Sequence, residues 1–393
     1  MARRYALSTF LRQTPNALLE AYFHQRGLLT DHTFRRIKPT DAHLIIAAME
    51  TLYESERAEV EAEFRDIYIL ADEKGSLIIA EQLDHTGHDA ASKLESVSNP
   101  YALAMWLFME HGPRSGRLDL FSTCATLAHI RSLSFPRSKR KTGLPQQTPR
   151  SDPKTLRALA EGIKAAYRPQ GRAYRCKVEH YVRPNPIRHI FHAFPEDYAC
   201  SELGYDGDEL TANTRRPVFE VVFVFDPASG DLELSAPGRK KVTTRLQSLF
   251  CSQALGMLGL PNSPSPPPLR LDLLKNSDFA FPTEPDDQIT RVELLFLKLH
   301  PVEAPSHIVT FQIWPSVFMS LHDWMNRWQM REGRTVEDLW VAEAKLRFTW
   351  RAKPRQRPRV TLVRLAAPDT IALDDLPEHQ IIRRYLKTWN LAA

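Results

Sequence analysis

The rhythm of the apolar residues changes once along this chain. Up to about residue 134 they recur at helical spacing, and from residue 174 they alternate. The change falls at 135–153, FPRSKRKTGLPQQTPRSDP, a basic segment broken by prolines. Side chains repeat every 3.6 residues around a helix and every second residue along a strand, so a chain with both rhythms in succession folds as helices followed by sheet. The expected class is α+β: an N-terminal all-helical domain followed by a C-terminal, mostly antiparallel sheet region with packed helices. The expected boundaries are a helical domain 1–134, a basic linker and amphipathic helix 135–172, and an antiparallel α+β domain 173–393. The stiff run PNSPSPPPL divides the last of these into 173–260 and 270–393.

In the front part, 55–75 places Val60, Phe64, Ile67 and Ala71 on one helical face, with Gly75 as the expected stop. Segments 17–28 and 100–111 have the same texture, and the second is apolar enough for a core helix. After the basic segment, Asp152 followed by Pro153 predicts a helix start: an oxygen to cap free N–H groups, then a proline in the first turn. Leu156, Leu159, Ala160, Ile163 and Tyr167 fall on one side of that helix, and Lys154, Arg157, Lys164 and Arg168 on the other. Strands are expected at 174–183, 187–194, 218–225 and 232–235, and again at 289–299, 308–314, 340–350 and 358–365. Segment 218–225 is apolar at every step, as a central strand would be. Helices are expected near 240–258, 316–328 and 377–389.

The net charge of +5 conceals an uneven distribution. Residues 131–188 hold fifteen lysines and arginines against three acids (Asp152, Glu161, Glu179), a local +12 that leaves the rest of the chain at −7. A second block, 345–364, holds eight basic residues and no acid, whereas 50–95 carries thirteen acids and four bases. Two positive zones on an otherwise acidic chain point to a local contact with a polyanion. Four scattered cysteines without a CxxC pair read as free thiols in a reducing compartment, which predicts a cytoplasmic protein. No apolar run reaches the roughly 20 residues of a membrane span, so no membrane partner is expected.

The candidate contacts with DNA or RNA are Arg137, Lys139, Arg140 and Lys141 in the basic segment and Lys154, Arg157, Lys164 and Arg168 on the helix behind it. Arg355, Arg357 and Arg359, at the tip of the hairpin expected over 340–365, complete the set. Along WVAEAKLRFTWR, alternation puts Trp340, Ala342, Ala344, Leu346, Phe348 and Trp350 on one face and Glu343, Lys345, Arg347 and Arg351 on the other. Such cations hold phosphates without reading bases, which predicts a non-catalytic nucleic-acid-binding protein, one part of a larger complex; the general texture of the chain, and nothing more specific, suggests a bacterial defence or mobile-element role. Two alternatives accompany it. Glu343-x-Lys345 is half of a metal-dependent nuclease motif, with Asp286 or Asp287 as the missing acid. The basic segment would also suit an adaptor gripping an acidic protein. No GxSxG, phosphate loop or dinucleotide fingerprint occurs, so no catalytic residue, metal or cofactor is assigned. His189 and His192 sit an odd number of residues apart on an expected strand, which sends their rings to opposite faces.

Overall fold

The computed structural model describes residues 5–87, 97, 99–113, 119–132, 140–261, 269–304, 306–314, 319–333, 335–352, 358–367, 370–371, 373 and 377–392. Seven helices come first among them: α1 (Leu7–Gln13), α2 (Asn16–Gln25), α3 (His43–Met49), α4 (Glu54–Leu70), α5 (Glu73–His85), α6 (Pro100–His111) and α7 (Leu120–Ser132). Strand β1 (Arg140–Lys141) and helix α8 (Pro153–Tyr167) follow. Next come β2 (Cys176–Pro184), β3 (Ile187–Pro195), β4 (Cys200–Asp206), β5 (Glu209–Arg215), β6 (Val221–Asp226), β7 (Asp231–Ser235) and α9 (Lys240–Gln253). The chain ends with β8 (Ile289–Pro301), β9 (Val309–Gln312), α10 (Leu321–Glu332), β10 (Leu339–Trp350), β11 (Val360–Ala366), β12 (Thr370–Ile371) and α11 (Pro377–Thr388). Helices in front and antiparallel sheets behind make this an α+β protein. None of the described helices is long and apolar enough to cross a membrane.

The chain forms two compact units that share it in alternating pieces. Unit one comprises Met1–Leu133, Pro145–Gly230 and Gln253–Gly256; unit two comprises Ser134–Leu144, Asp231–Ser252 and Met257–Ala393.

In unit one the front helices meet around an aromatic core, with Phe10 and Tyr22 each about one ring width from Phe64 (centroids 4.9 and 5.0 Å). The helix expected over 55–75 is two helices, α4 and α5, broken at Ala71 and Asp72. Gly75 is not its stop. It lies in the first turn of α5, where its N–H donates to the capping Asp72 Oδ1 at 2.8 Å. A Cβ there would stand 2.1 Å from the Leu70 carbonyl oxygen, so only glycine lets the two helix ends come this close.

Strand β3 of unit one lies between β2 and β6, all antiparallel. Val178, Phe191, Ala193, Val221, Phe223 and Phe225 share one face by register, and all are buried. Helix α8 packs on β2 and β3 with Leu159, Ile163 and Tyr167 fully buried, and Tyr167 meets Phe219 edge-on at 4.9 Å. Burying each such side chain contributes about 1.5–3 kcal/mol. Val222 and Val224 are buried on the opposite face, so β6 is the central strand that its continuous apolar run predicts.

Strands β4 and β5 form a separate ribbon of two strands, turning at Gly207 (φ 61°). Its register puts Leu203, Ala212, Tyr205 and Leu210 on one face and Glu202, Asn213, Asp206 and Glu209 on the other. Both faces stand in water: Leu203 is 72%, Tyr205 77% and Leu210 59% exposed.

Unit two contains the β1–β7 pair and a five-stranded antiparallel sheet in the order β12-β11-β10-β8-β9. One face of that sheet carries Leu297, Leu299, Ala344, Leu346, Phe348, Val363 and Leu365, all at most 0% exposed. Leu321 and Met325 of α10 and Ile382, Tyr385 and Leu386 of α11 close this core. Trp389 stacks on Phe348 (5.9 Å, 13°), and its ring N–H donates to the Pro282 carbonyl at 3.0 Å.

Candidate nucleic-acid interface

Helix α8 begins where the sequence predicts. Asp152 accepts from the backbone N–H groups of Lys154 (3.0 Å) and Thr155 (3.1 Å) and from the Thr155 hydroxyl (2.7 Å). Those bonds, the Thr155 hydroxyl first, hold its carboxyl below the usual carboxylate range. With Leu159, Ile163 and Tyr167 anchored in the core, the opposite side of the helix must face water. Lys154, Arg157 and Arg168 are exposed there, and Lys164 is half-buried. The stripe runs through 154, 157, 161, 164 and 168, roughly 21 Å along the axis at about 1.5 Å per residue. Glu161 interrupts it and binds Lys164 Nζ at 2.7 Å. Lys154, Arg157 and Arg168 have no carboxylate partner among the described residues. Arg157 Nε–H instead donates to the Pro153 carbonyl at 3.1 Å.

The other candidates have different surroundings. Arg140 lies opposite Glu233 across the β1–β7 pair and forms an ion pair with it. Lys141, opposite Leu232, is half-buried near the Cys251 thiol. Arg359 pairs with Glu378 at 2.6 Å. Arg137, Lys139, Arg355 and Arg357 lie outside the described residues. Helix α8 therefore brings four candidates onto one surface, while Arg140 and Arg359 spend their charge on nearby carboxylates.

Strand β10 differs from simple alternation at one point. Its register against β8 shifts between Val341 and Glu343, so Ala342 is an extra residue and the phase of the strand changes there. Val341 enters the core, and Trp340, expected inside, stands 37% exposed on the other face. There Trp340 stacks on His300 of β8 (5.1 Å, 21°), and Lys345 Nζ sits 4.4 Å above the Phe296 ring. Lys298 is level with Glu343. Strand β8 supplies half of this polar face; its alternating Arg291, Glu293, Lys298 and His300 are the signal that could have found it.

Both Glu343 oxygens accept from Arg364, at 2.7 and 2.9 Å. That bidentate pair holds the Glu343 carboxyl below its ordinary range despite partial burial. Asp287 bonds to Arg384 and Tyr385. The two halves expected of a nuclease motif are thus each engaged by an arginine. Among the described residues, no group of three or more His, Cys, Asp or Glu is arranged to hold a metal ion.

His189 and His192 do point to opposite faces of β3. His189 Nδ1 lies 3.1 Å from His180 Nε2 with the rings stacked, while His192 lies 3.4 Å from Glu220, which also contacts His129 at 2.9 Å. Burial, then the neighbouring His189, pushes His180 down to about 4, so this pair is neutral at ordinary pH. The thiols are equally quiet: burial pushes Cys124 and Cys176 up to about 12 and Cys251 to about 11, away from the thiolate that a nucleophile needs.

The chain matches no protein-family model, and no curated protein or solved structure is significantly similar to it.

Proposed function

We propose that this protein binds nucleic acid through the phosphate backbone, without chemistry of its own and as one part of a larger assembly. The observation that carries the reading is the exposed cation stripe of α8, fixed in direction by the buried Leu159, Ile163 and Tyr167 behind it. Lys154, Arg157 and Arg168 are the principal contacts, and Lys164 contributes less because Glu161 holds it. Arg137, Lys139 and Lys141 extend the basic segment before them, and Arg355 and Arg357 form a second basic stretch. Arg140 and Arg359 contribute less, because each is already bound to a glutamate. Contacts of this kind position a ligand and read no bases, so binding is weakly sequence-specific and serves either DNA or RNA. Four free cysteines accord with a cytoplasmic location.

Fluorescence anisotropy with labelled duplex and single-stranded oligonucleotides at low salt tests the reading. Binding that weakens steeply with salt is the expected result, and undetectable binding of both ligands would overturn it. An adaptor for an acidic protein would use the same stripe. It would show instead as a salt-sensitive protein complex that excess oligonucleotide fails to disrupt.

A further inference from the structure

We propose that the polar face of the unit-two sheet is a second binding site, and that its ligand is single-stranded nucleic acid, with a base stacked on Trp340 and phosphates held by Lys298 and Lys345. This rests on the nucleic-acid reading above and adds to it the form of the ligand.

Helices α10 and α11 both lie against the opposite, apolar face of this sheet. The polar face carries Arg291, Lys298, Lys345, Arg347 and Arg364 against two acids, Glu293 and Glu343. The acids are consumed by arginines: Glu293 pairs with Arg291 and Arg347 at 3.0 Å each, and Glu343 with Arg364. Neither lysine is in an ion pair among the described residues, although Glu343 lies within electrostatic reach of both; Lys345 sits over the Phe296 ring. Five cations against two acids leave this face net positive, and a net positive face attracts an anion.

Charge alone would suit any polyanion; the aromatic side chains decide between them. A sheet face that only meets water has no use for tryptophan, yet Trp340 is 37% exposed with His300 already stacked on its inner side. That exposure leaves ring surface on which a second flat ring can stack. Trp314, two residues beyond β9, is 81% exposed; the Ile313 N–H donates to the Leu295 carbonyl at 3.0 Å, which continues the pairing of that strand up to it. Leu362 on β11 adds an apolar side chain 64% exposed. Phosphates to suit the lysines, joined to flat rings to suit the tryptophan, occur together in a nucleic acid whose bases are unpaired. In a duplex the bases stack on one another and offer no face, so this site discriminates against it. An acidic peptide would satisfy Lys298 and Lys345 but bring no flat ring to Trp340.

The test uses the full chain, an oligothymidylate of about 12 nucleotides (within the ~4–16 typical of one such surface), a duplex and polyglutamate. Trp340→Ala should weaken oligothymidylate binding roughly 5- to 160-fold, the range for loss of one stacked base. It should leave duplex binding unchanged, and Trp340→Phe should restore most of the loss. Lys298→Ala with Lys345→Ala should lower the salt slope for the oligonucleotide by about 1.4, at about 0.7 per phosphate. Wild-type affinity in the Trp340→Ala protein, or polyglutamate competing as well as the oligonucleotide, overturns the sheet site. In that event, duplex binding that still falls in Lys154→Ala with Arg157→Ala leaves the α8 reading standing. Absence of any binding at low salt overturns both.

Discussion

The α8 stripe makes a numerical prediction. Three of its cations, Lys154, Arg157 and Arg168, have no carboxylate partner among the described residues, and the fourth, Lys164, is held by Glu161 at 2.7 Å. Each neutralised phosphate of a duplex contributes about 0.9 to the slope of log affinity against log salt, so three give about −2.7. Raising salt from about 50 to about 200 mM should then weaken duplex binding roughly 40-fold. Lys154→Ala with Arg157→Ala leaves one contact on the stripe, cutting its share of the slope to about −0.9 and its share of the loss to about 3- to 4-fold. Glu161→Gln works the other way: it frees Lys164, steepens the slope to about −3.6 and raises affinity at low salt. All three positions are exposed, so the variants should melt within about 0.5 kcal/mol of the parent. Anisotropy titrations of one labelled duplex at four or five salt concentrations measure the slopes. Equal slopes in the parent and both variants would refute the argument, because the charges on this helix would then touch no phosphate.

Other outcomes follow from the same structure. Phe348→Ala empties a fully buried site beside Trp389 and should cost about 3–5 kcal/mol in urea melts. Gly75→Ala drives a methyl group into the Leu70 carbonyl and should cost at least about 1–3 kcal/mol, while Gly87→Ala meets no atom within 4 Å and registers only the strain of its φ of +68°. His180 has its folded-state pKa pushed down to about 4 from an ordinary 6.5. The unfolded chain therefore binds the proton more readily, and the His180–His189 pair contributes stability that is complete above 6.5 and lost as pH falls towards about 4. Thermal melts across that range should show a shallower acid-side decline in His180→Phe than in the parent; parallel declines would refute the assignment.

Much of the architecture can be read from the sequence because it rests on local chemistry. Asp152, Pro153 and the spacing from Leu156 to Tyr167 specify α8 almost to the residue, and the unbroken apolar run marks β6 as central. The departures have physical causes. An apolar rhythm that spans α4 and α5 hides the break between them, because Asp72 caps a new helix only two residues after the old one ends. The β4–β5 ribbon escapes notice because its apolar positions are few and its strands polar, although the DG pair of YDGDEL is a hairpin turn signal. One extra residue, Ala342, reverses the phase of β10 and moves Trp340 from the expected core to the polar face. Ion pairs are the least legible of all: nothing in the order of residues tells that Glu343 meets Arg364, or that Arg140 meets Glu233.

The β4–β5 ribbon also bears on how the protein keeps company with its own copies. Both of its strands are edges, so each offers unpaired backbone donors and acceptors beside the uncovered Leu203, Tyr205 and Leu210. A ribbon of this kind is a template for sheet growth. Asp206, Asp208 and Glu209 crowd its turn end with negative charge, and two such ends repel when they approach. Pairing between ribbons of two copies then depends on those three carboxylates: at neutral pH and low salt they hold the ribbons apart, and acid or salt that silences them removes that barrier.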